Sequence, residues 1–408
     1  MGKINILVNP NDRAGSGKYR CIDPHVTLQN NHADDFFVEI NHQIDFNDIN
    51  YLKGFDAVFI HRLPQHNHKD AVAIINTIKR LGLKVIIDTD DHWNLDPSHG
   101  LYHIAKINKI PETILDCIRM ADLVTVPTEI LAAEVRKFNK NVVVLPNAVD
   151  PNEDQFKPKE TESDMIRFGW LGGSSHIKDM EHLRDLGTKQ NGLGKPTQIV
   201  LCGFDTRGNV QFVNPDTKQV ETRPMRPQET TWFMYECFLT NNYKNLETDR
   251  EYLTYLMSFI DDPNFDTKSK PYRRIWTKAI NQYANGYNHF DVAMAPLNES
   301  TFNKYKSQLK VIEAGFHKKA LIAQNYGPYQ IDLISAIDRG GAINPNGNCL
   351  LVEPSKNHKQ WSKFAKKLVD NPEMIKDLGE KLYETVKDKY DLNNVTKNRY
   401  EIYKNLMK

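Results

Sequence analysis

The sequence predicts an α/β protein built as two doubly wound halves. Three observations carry that expectation. Short apolar runs alternate with amphipathic helical stretches from Ile4 to Leu145, and the alternation restarts at Ile166. Such a pattern means a parallel sheet with helices on both faces. Between the halves, Asn152 to Asp164 is polar, with Pro158 and five acidic residues, and reads as a linker. The chain is 408 residues long, for which two domains are the ordinary expectation.

Composition narrows the function classes. Apolar residues make up 40% and charged residues 26%, the usual mix for a soluble protein. A net charge of +1 argues against holding nucleic acid by bulk electrostatics. The five cysteines are far apart, odd in number and never in C-x-x-C spacing, which suits a reduced, cytoplasmic protein without a cysteine metal site. The first residues, MGKINILVNPND, lack an apolar segment of signal-peptide length, and no apolar run approaches a membrane span.

In the first half, strands are expected at Ile4–Val8, Phe36–Ile40, Phe55–Ile60, Lys84–Ile87, Leu123–Val126 and Asn141–Leu145. Helices are expected at Asp70–Leu81, Thr113–Met120 and Thr128–Phe138, the last capped by Thr128. Gly15-Ser16-Gly17 after the first strand is either a phosphate cradle or a plain connector. The third strand ends in His61-Arg62, and the fourth runs into Asp88-Thr89-Asp90-Asp91-His92. Three carboxylates and an imidazole after one buried strand suit a cation or a polyhydroxyl ligand; the plain alternative is a solvated acidic turn.

In the second half, the strand Ile166–Leu171 delivers Gly172-Gly173-Ser174, with Lys178 in the first turn of the next helix. Gln198–Cys202 is a further strand. Phe204–Trp276 breaks the rhythm and reads as an insertion, with a hairpin at Val210–Val213 and Lys218–Thr222 and helices at Thr230–Thr240 and Asp249–Ile260. It suits a lid, a dimer surface or an acceptor platform. Arg273–Tyr283 is expected to return by helix to a strand at Phe290–Ala295. A polar loop carrying Lys304, Lys306 and Ser307 leads to a helix at Gln308–Phe316, then a strand at Ala320–Ala323. A last strand at Cys349–Val352 precedes helices at His358–Val369, Pro372–Tyr390 and Asn393–Met407. Glu313 sits beside the apolar stripe of Leu309, Ile312 and Phe316 and so needs a partner, either Lys306 or Lys310 in an ion pair or a ligand hydroxyl.

Four stretches, ADLVTVPTE, VVVLPNAVD, RFGWLGGSSHIKDM and the unit from FDVAMAPL to NYGPY, occur here in order and at the spacing of a known group. Through them the chain resembles the family-4 retaining glycosyltransferases of the GT-B fold, most nearly the compact bacterial and phage-borne branch. The resemblance implies two facing Rossmann-like domains, 1–150 on the acceptor side and 166–390 on the nucleotide-sugar side. Residues 151–165 would link them, 204–276 would be inserted, and 391–408 would cross back.

The resemblance also implies the site. Glu313 would take the donor ribose hydroxyls. Gly172, Gly173 and Ser174 would form the glycine loop, and Lys178, Lys306, Ser307 and Lys310 would face the diphosphate. Asp91 and His92, with Asp90 and Arg62, would reach the sugar or orient the acceptor. The family's first glutamate would fall at position 305, here Tyr305, and the arginine expected after the first glycine is Gly173. The partners implied are a UDP- or GDP-sugar and an acceptor glycan, lipid-linked sugar or modified DNA base. No metal or cofactor is needed besides the nucleotide-sugar co-substrate. Alternatives are a phage enzyme glycosylating hydroxylated pyrimidines in DNA, a catalytically inactive scaffold suggested by the two departures, and a nucleotide-sugar epimerase suggested by the acidic cluster.

Overall fold

The computed structural model describes residues 2–13, 15–97, 99–184, 186, 197–213, 215–217, 219–240, 256–268, 270–354 and 359–408. Two six-stranded sheets dominate it. The first contains β1 (Ile4–Asn9), β2 (Phe36–Ile40), β3 (Ala57–His61), β4 (Lys84–Asp88), β5 (Leu123–Val126) and β6 (Val142–Val144), in the order β2-β1-β3-β4-β5-β6. The second contains β7 (Ile166–Leu171), β8 (Thr197–Phe204), β11 (Tyr272–Trp276), β12 (Val292–Ala295), β13 (Ala320–Gln324) and β14 (Leu350–Val352), in the order β11-β8-β7-β12-β13-β14. All pairings in both sheets are parallel. Helices cover both faces, so β3, β5 and β13 are buried along their whole length. That is why they read as near-continuous apolar runs.

Strand order reverses between β1 and β3 in one sheet and between β7 and β12 in the other. Loops leaving such switch points diverge and open a crevice at the carboxyl ends of the strands. The two crevices meet. The last helix, Leu392–Leu406, starts on Asp391, whose Oδ1 accepts from the Asn393 and Asn394 amides. It packs on the first domain, where Tyr403 is fully buried and lies 3.0 Å from His25 Nε2, and Lys404 pairs with Asp35 at 2.8 Å. His25 Nδ1 donates to the Cys21 carbonyl at 2.6 Å, so Nε2 accepts from the Tyr403 hydroxyl.

The stretch 204–276 differs from the sequence reading. Asn209–Val213 (β9) and Val220–Pro224 (β10) do pair as an antiparallel hairpin, the second strand running two residues beyond the expected Lys218–Thr222; Lys218 itself lies outside the described residues. The helix Thr231–Thr240, however, buries Trp232, Tyr235, Phe238 and Leu239 in the core of the second domain. Tyr272–Trp276 is the edge strand β11 paired to β8, where a helix was expected to begin at Arg273. Arg273 and Arg274 made that segment look exposed. Both are buried because Asp266 pairs with Arg273 at 2.7 Å and Glu236 pairs with Arg274 at 2.7 Å. Of the helix expected at Asp249–Ile260, residues 249–255 lie outside the described residues, as does His358 at the start of the helix observed at Lys359–Asp370.

Candidate functional site

A cleft of about 640 Å³ opens where the two crevices face each other. On the second-domain wall, β12 leads through Ser300, whose Oγ accepts from the Asn303 amide at 3.1 Å, into the short helix Thr301–Lys304. The chain then turns into the helix Leu309–Phe316, which buries Val311, Ile312 and Phe316. Its first turn has no side-chain cap, so its free N–H groups can meet an anion. Lys306 lines the cleft, lies 5.2 Å from the Phe302 ring centre and pairs with no carboxylate among the described residues. Lys310 donates to the Leu171 carbonyl and lies 4.8 Å from the Trp170 ring centre. Burial, then the nearby Lys306 charge, pushes its ammonium down to about 8. A Cβ on Gly172 would lie 2.5 Å from the Trp170 ring and 2.9 Å from Lys310 Nζ, so only glycine fits there.

Glu313 is 3% exposed and lines the same cleft. It forms no ion pair with Lys306 or Lys310, contrary to the plain sequence expectation. Tyr19 donates to its Oε1 at 3.0 Å and Tyr287 to its Oε2 at 3.1 Å. The Tyr19 proton is committed there, so Tyr283, 2.6 Å away, donates to Tyr19. Burial pushes the Glu313 carboxyl up to about 8, and the Tyr19 hydrogen bond offsets only part of that. Tyr19 belongs to the first domain, so this chain of hydroxyls crosses the cleft.

The first-domain wall is built differently. Asp88 is taken inside, bound by Arg20 through Nε at 3.0 Å and NH2 at 2.6 Å and by Thr125 at 2.5 Å. Arg20 also donates to Asn147 Oδ1 at 3.0 Å, and Asn147 donates to Ser307 Oγ across the cleft at 3.0 Å. Asp90 accepts from Ser16 Oγ at 2.6 Å, meets His61 Nε2 at 3.0 Å and takes Arg62 NH2 at 2.7 Å. Burial opposes its ionisation, yet Arg62 and His61 outweigh burial and hold it well below the usual carboxylate range. Asp91 binds the same Arg62 NH2 at 2.7 Å, but burial and the Asp90 charge push its carboxyl up. Arg62 sits at φ 65°, with its amide on the Asp88 carbonyl at 2.7 Å, a strained backbone held for the sake of that fork. Gly17 lets the loop close, because a Cβ there would lie 2.0 Å from the Asp12 carbonyl oxygen.

The structure gathers Arg62, Asp90, Asp91, Gly172, Gly173, Lys306, Ser307, Lys310 and Glu313 around or against one cleft. It does not bring His92 there. His92 stacks on Trp93 at 4.3 Å and Tyr305 at 4.9 Å, and Tyr305 in turn donates to Glu134 at 2.9 Å. Lys178 and Ser174 line a neighbouring cavity of about 590 Å³, and Lys306 borders both spaces. The Lys178 side chain is 51% exposed, with Nζ 3.5 Å from Glu181.

Sequence reasoning missed Tyr19, Asn147, Tyr283, His176 and Asp179, and named Ser16 only within a loop read as a phosphate cradle or a plain connector, not as a donor to Asp90. The small-residue loop at Gly15–Gly17 and the PNAVD anchor were the available signals for Ser16 and Asn147. Nothing local marks a tyrosine that pairs with a residue almost 300 positions away. His176 Nδ1 lies 2.7 Å from Asp179, which also holds the Asn298 amide at 2.7 Å. Tyr235 accepts from the His176 amide at 2.8 Å and donates to the Gly173 carbonyl at 3.3 Å. The helix within 204–276 thereby braces the glycine loop. Among the described residues, no group of three or more His, Cys, Asp or Glu side chains is placed to share a metal ion.

No family model matches the chain, and no curated protein matches it. Solved structures do. HepE of Anabaena, in complex with UDP and glucose, has a TM-score of 0.58 at 12% identity, over 99% of this chain and 100% of that one. The catalytic domain of starch synthase IV from Arabidopsis thaliana, bound to ADP and acarbose, has a TM-score of 0.58 at 11% identity, over 100% of both chains. A glycosyltransferase from Rickettsia africae has a TM-score of 0.53 at 14% identity, again over 100% of both chains. The fold is GT-B: two Rossmann-like domains face each other across the cleft.

Proposed function

We propose that the protein transfers a sugar from a nucleoside-diphosphate donor to an acceptor hydroxyl. The observation that carries this reading is the second-domain wall. There an uncapped helix start, Lys306 and Lys310 gather positive charge beside the buried carboxyl of Glu313. That combination suits a diphosphate flanked by a ribose. Similar folds hold UDP with glucose in HepE and ADP with acarbose in starch synthase IV, which supports the same ligand class here.

In this reading, Glu313 accepts from the ribose hydroxyls once Tyr19 yields its place. Negative charge builds on the β-phosphate as the glycosidic bond breaks. Lys306, Lys310 and the helix amides take up that charge without a metal ion. The acceptor oxygen attacks from the face the diphosphate leaves, so configuration is retained. The acceptor's proton passes to the departing phosphate oxygen, and no side-chain nucleophile is required. Asp90, Asp91 and Arg62 bind sugar or acceptor hydroxyls across the cleft. His92 supports that wall through its stacking on Tyr305, and Lys178 steadies charge at the outer cavity.

Thermal-shift titration with UDP, GDP and ADP and their sugars tests the reading. A ligand at 100 times its Kd stabilises the folded state by about 2.7 kcal/mol. At least one nucleoside diphosphate is expected to raise Tm, and one donor to release nucleotide on incubation. The idea fails if none of the panel does either.

A further inference from the structure

The loop and short helix beside the outer cavity carry an exposed apolar row. Leu101 is 58% exposed, Ile104 60% and Ile107 78%, three residues apart on the outward side of the helix Tyr102–Ile107, whose buried residue is Ala105. Single exposed aliphatic residues need no explanation, but a row at helical spacing does. Leu101 also lines the cavity of about 590 Å³, so the row begins at its mouth.

Charge on the same segment has one sign. From Pro97 to Pro111, between Asp96 and Glu112, there is no Asp or Glu, while Lys106 and Lys109 lie among the apolar residues. Neither lysine pairs with a carboxylate among the described residues. His99 and His103 add imidazoles. No helix among the described residues is long and apolar enough to cross a membrane. Apolar side chains standing outward between unpaired cations are the make-up of a segment that lies in a bilayer interface, aliphatic groups at the acyl boundary and ammonium groups at the phosphates.

We propose that the face carrying Leu101, Ile104 and Ile107, with Lys106 and Lys109, docks on an anionic lipid bilayer. Docking there turns the mouth of the outer cavity toward the membrane. If the glycosyl-transfer reading holds, the acceptor is then the polar head of a lipid, presented from the bilayer.

Flotation of the full chain with vesicles of phosphatidylcholine, with and without phosphatidylglycerol, tests the docking separately from catalysis. Wild type is expected to float with the anionic vesicles and much less with the neutral ones. The double variant Ile104→Asp/Ile107→Asp is expected to lose at least about tenfold in vesicle affinity, because two aliphatic side chains no longer enter the interface. It should keep the wild-type Tm and the same nucleotide-induced Tm shift. Lys106→Glu/Lys109→Glu should abolish the preference for anionic vesicles. Wild type remaining in solution with both vesicle types overturns the proposal, as does unchanged flotation of the aspartate variant. A concentration-dependent dimer that the aspartate variant abolishes would also overturn it, since a second copy would then be the occupant. A chain that floats but shows no nucleotide shift would overturn the transfer reading and leave the docking standing.

Discussion

The two walls of the cleft use charge in opposite ways. On the first-domain wall every strong charge has a protein partner: Asp88 holds Arg20, while Asp90 and Asp91 share Arg62. On the second-domain wall Lys306 and Lys310 hold no carboxylate among the described residues, and Glu313 is met only by phenols. A closed circuit of charge builds a rigid surface suited to neutral hydroxyls. Open charge is a site for a ligand that brings its own. Changes on the first wall should therefore be felt mainly in stability, and changes on the second mainly in binding and turnover.

The largest expected effect is on the closed circuit. Arg20→Met leaves the fully buried Asp88 without its counter-charge and breaks the link through Asn147 to Ser307. It should cost about 3–5 kcal/mol in chemical denaturation. A loss under 1 kcal/mol would show that the first wall is not held by its charges.

On the open wall, if the transfer reading holds, Lys306→Ala should lower kcat/KM by about 10²–10³-fold while leaving Tm within a few degrees, since the residue would meet the donor's diphosphate and the further charge that builds on it in the reaction and pairs with no carboxylate among the described residues. A folded variant with wild-type turnover would break the contrast. Lys178→Ala, half-exposed at the outer cavity, should cost less than about tenfold, because water screens a cation placed there.

The pH dependence sharpens the same comparison. In the transfer reading, Glu313, raised to about 8, would bind ribose hydroxyls best when ionised, whereas Lys310, lowered to about 8, would meet phosphate when protonated. The profile of kcat/KM should therefore be a bell with its maximum near 8. Glu313→Gln should remove the acid limb and keep the alkaline one. Stability carries the matching sign. The Glu313 carboxyl is raised above its unfolded value of 4.5, so the contribution of its protonated form is complete below 4.5 and is lost as pH rises through about 8. Urea midpoints of Glu313→Gln should fall less across that window than those of wild type.

Much of the fold was legible because its strands are buried on both faces and stand out as short apolar runs. The glycine pair, the two lysines of the 304–310 loop and the acidic turn after β4 were legible for a related reason. Chemistry-bearing residues collect at carboxyl strand ends, and those ends can be found in the chain. β11 was not legible. Its arginines look like surface residues until Asp266 and Glu236 are seen to neutralise them. Nor was the work of the helix Thr231–Thr240, whose Tyr235 braces a glycine loop that leaves another strand.

By itself, the sequence determined the order of the elements, the two parallel sheets and the neighbourhood of the cleft, because these follow from local hydrophobic period and turn chemistry. Tertiary structure alone decided which of those residues share a surface. It turned Glu313 to Tyr19 and Tyr287 rather than to a lysine, enclosed Asp88 with Arg20, and stacked His92 on Tyr305 away from the cleft. Those outcomes depend on which burial and which charge pairs coincide when distant segments meet, and no local pattern carries that information.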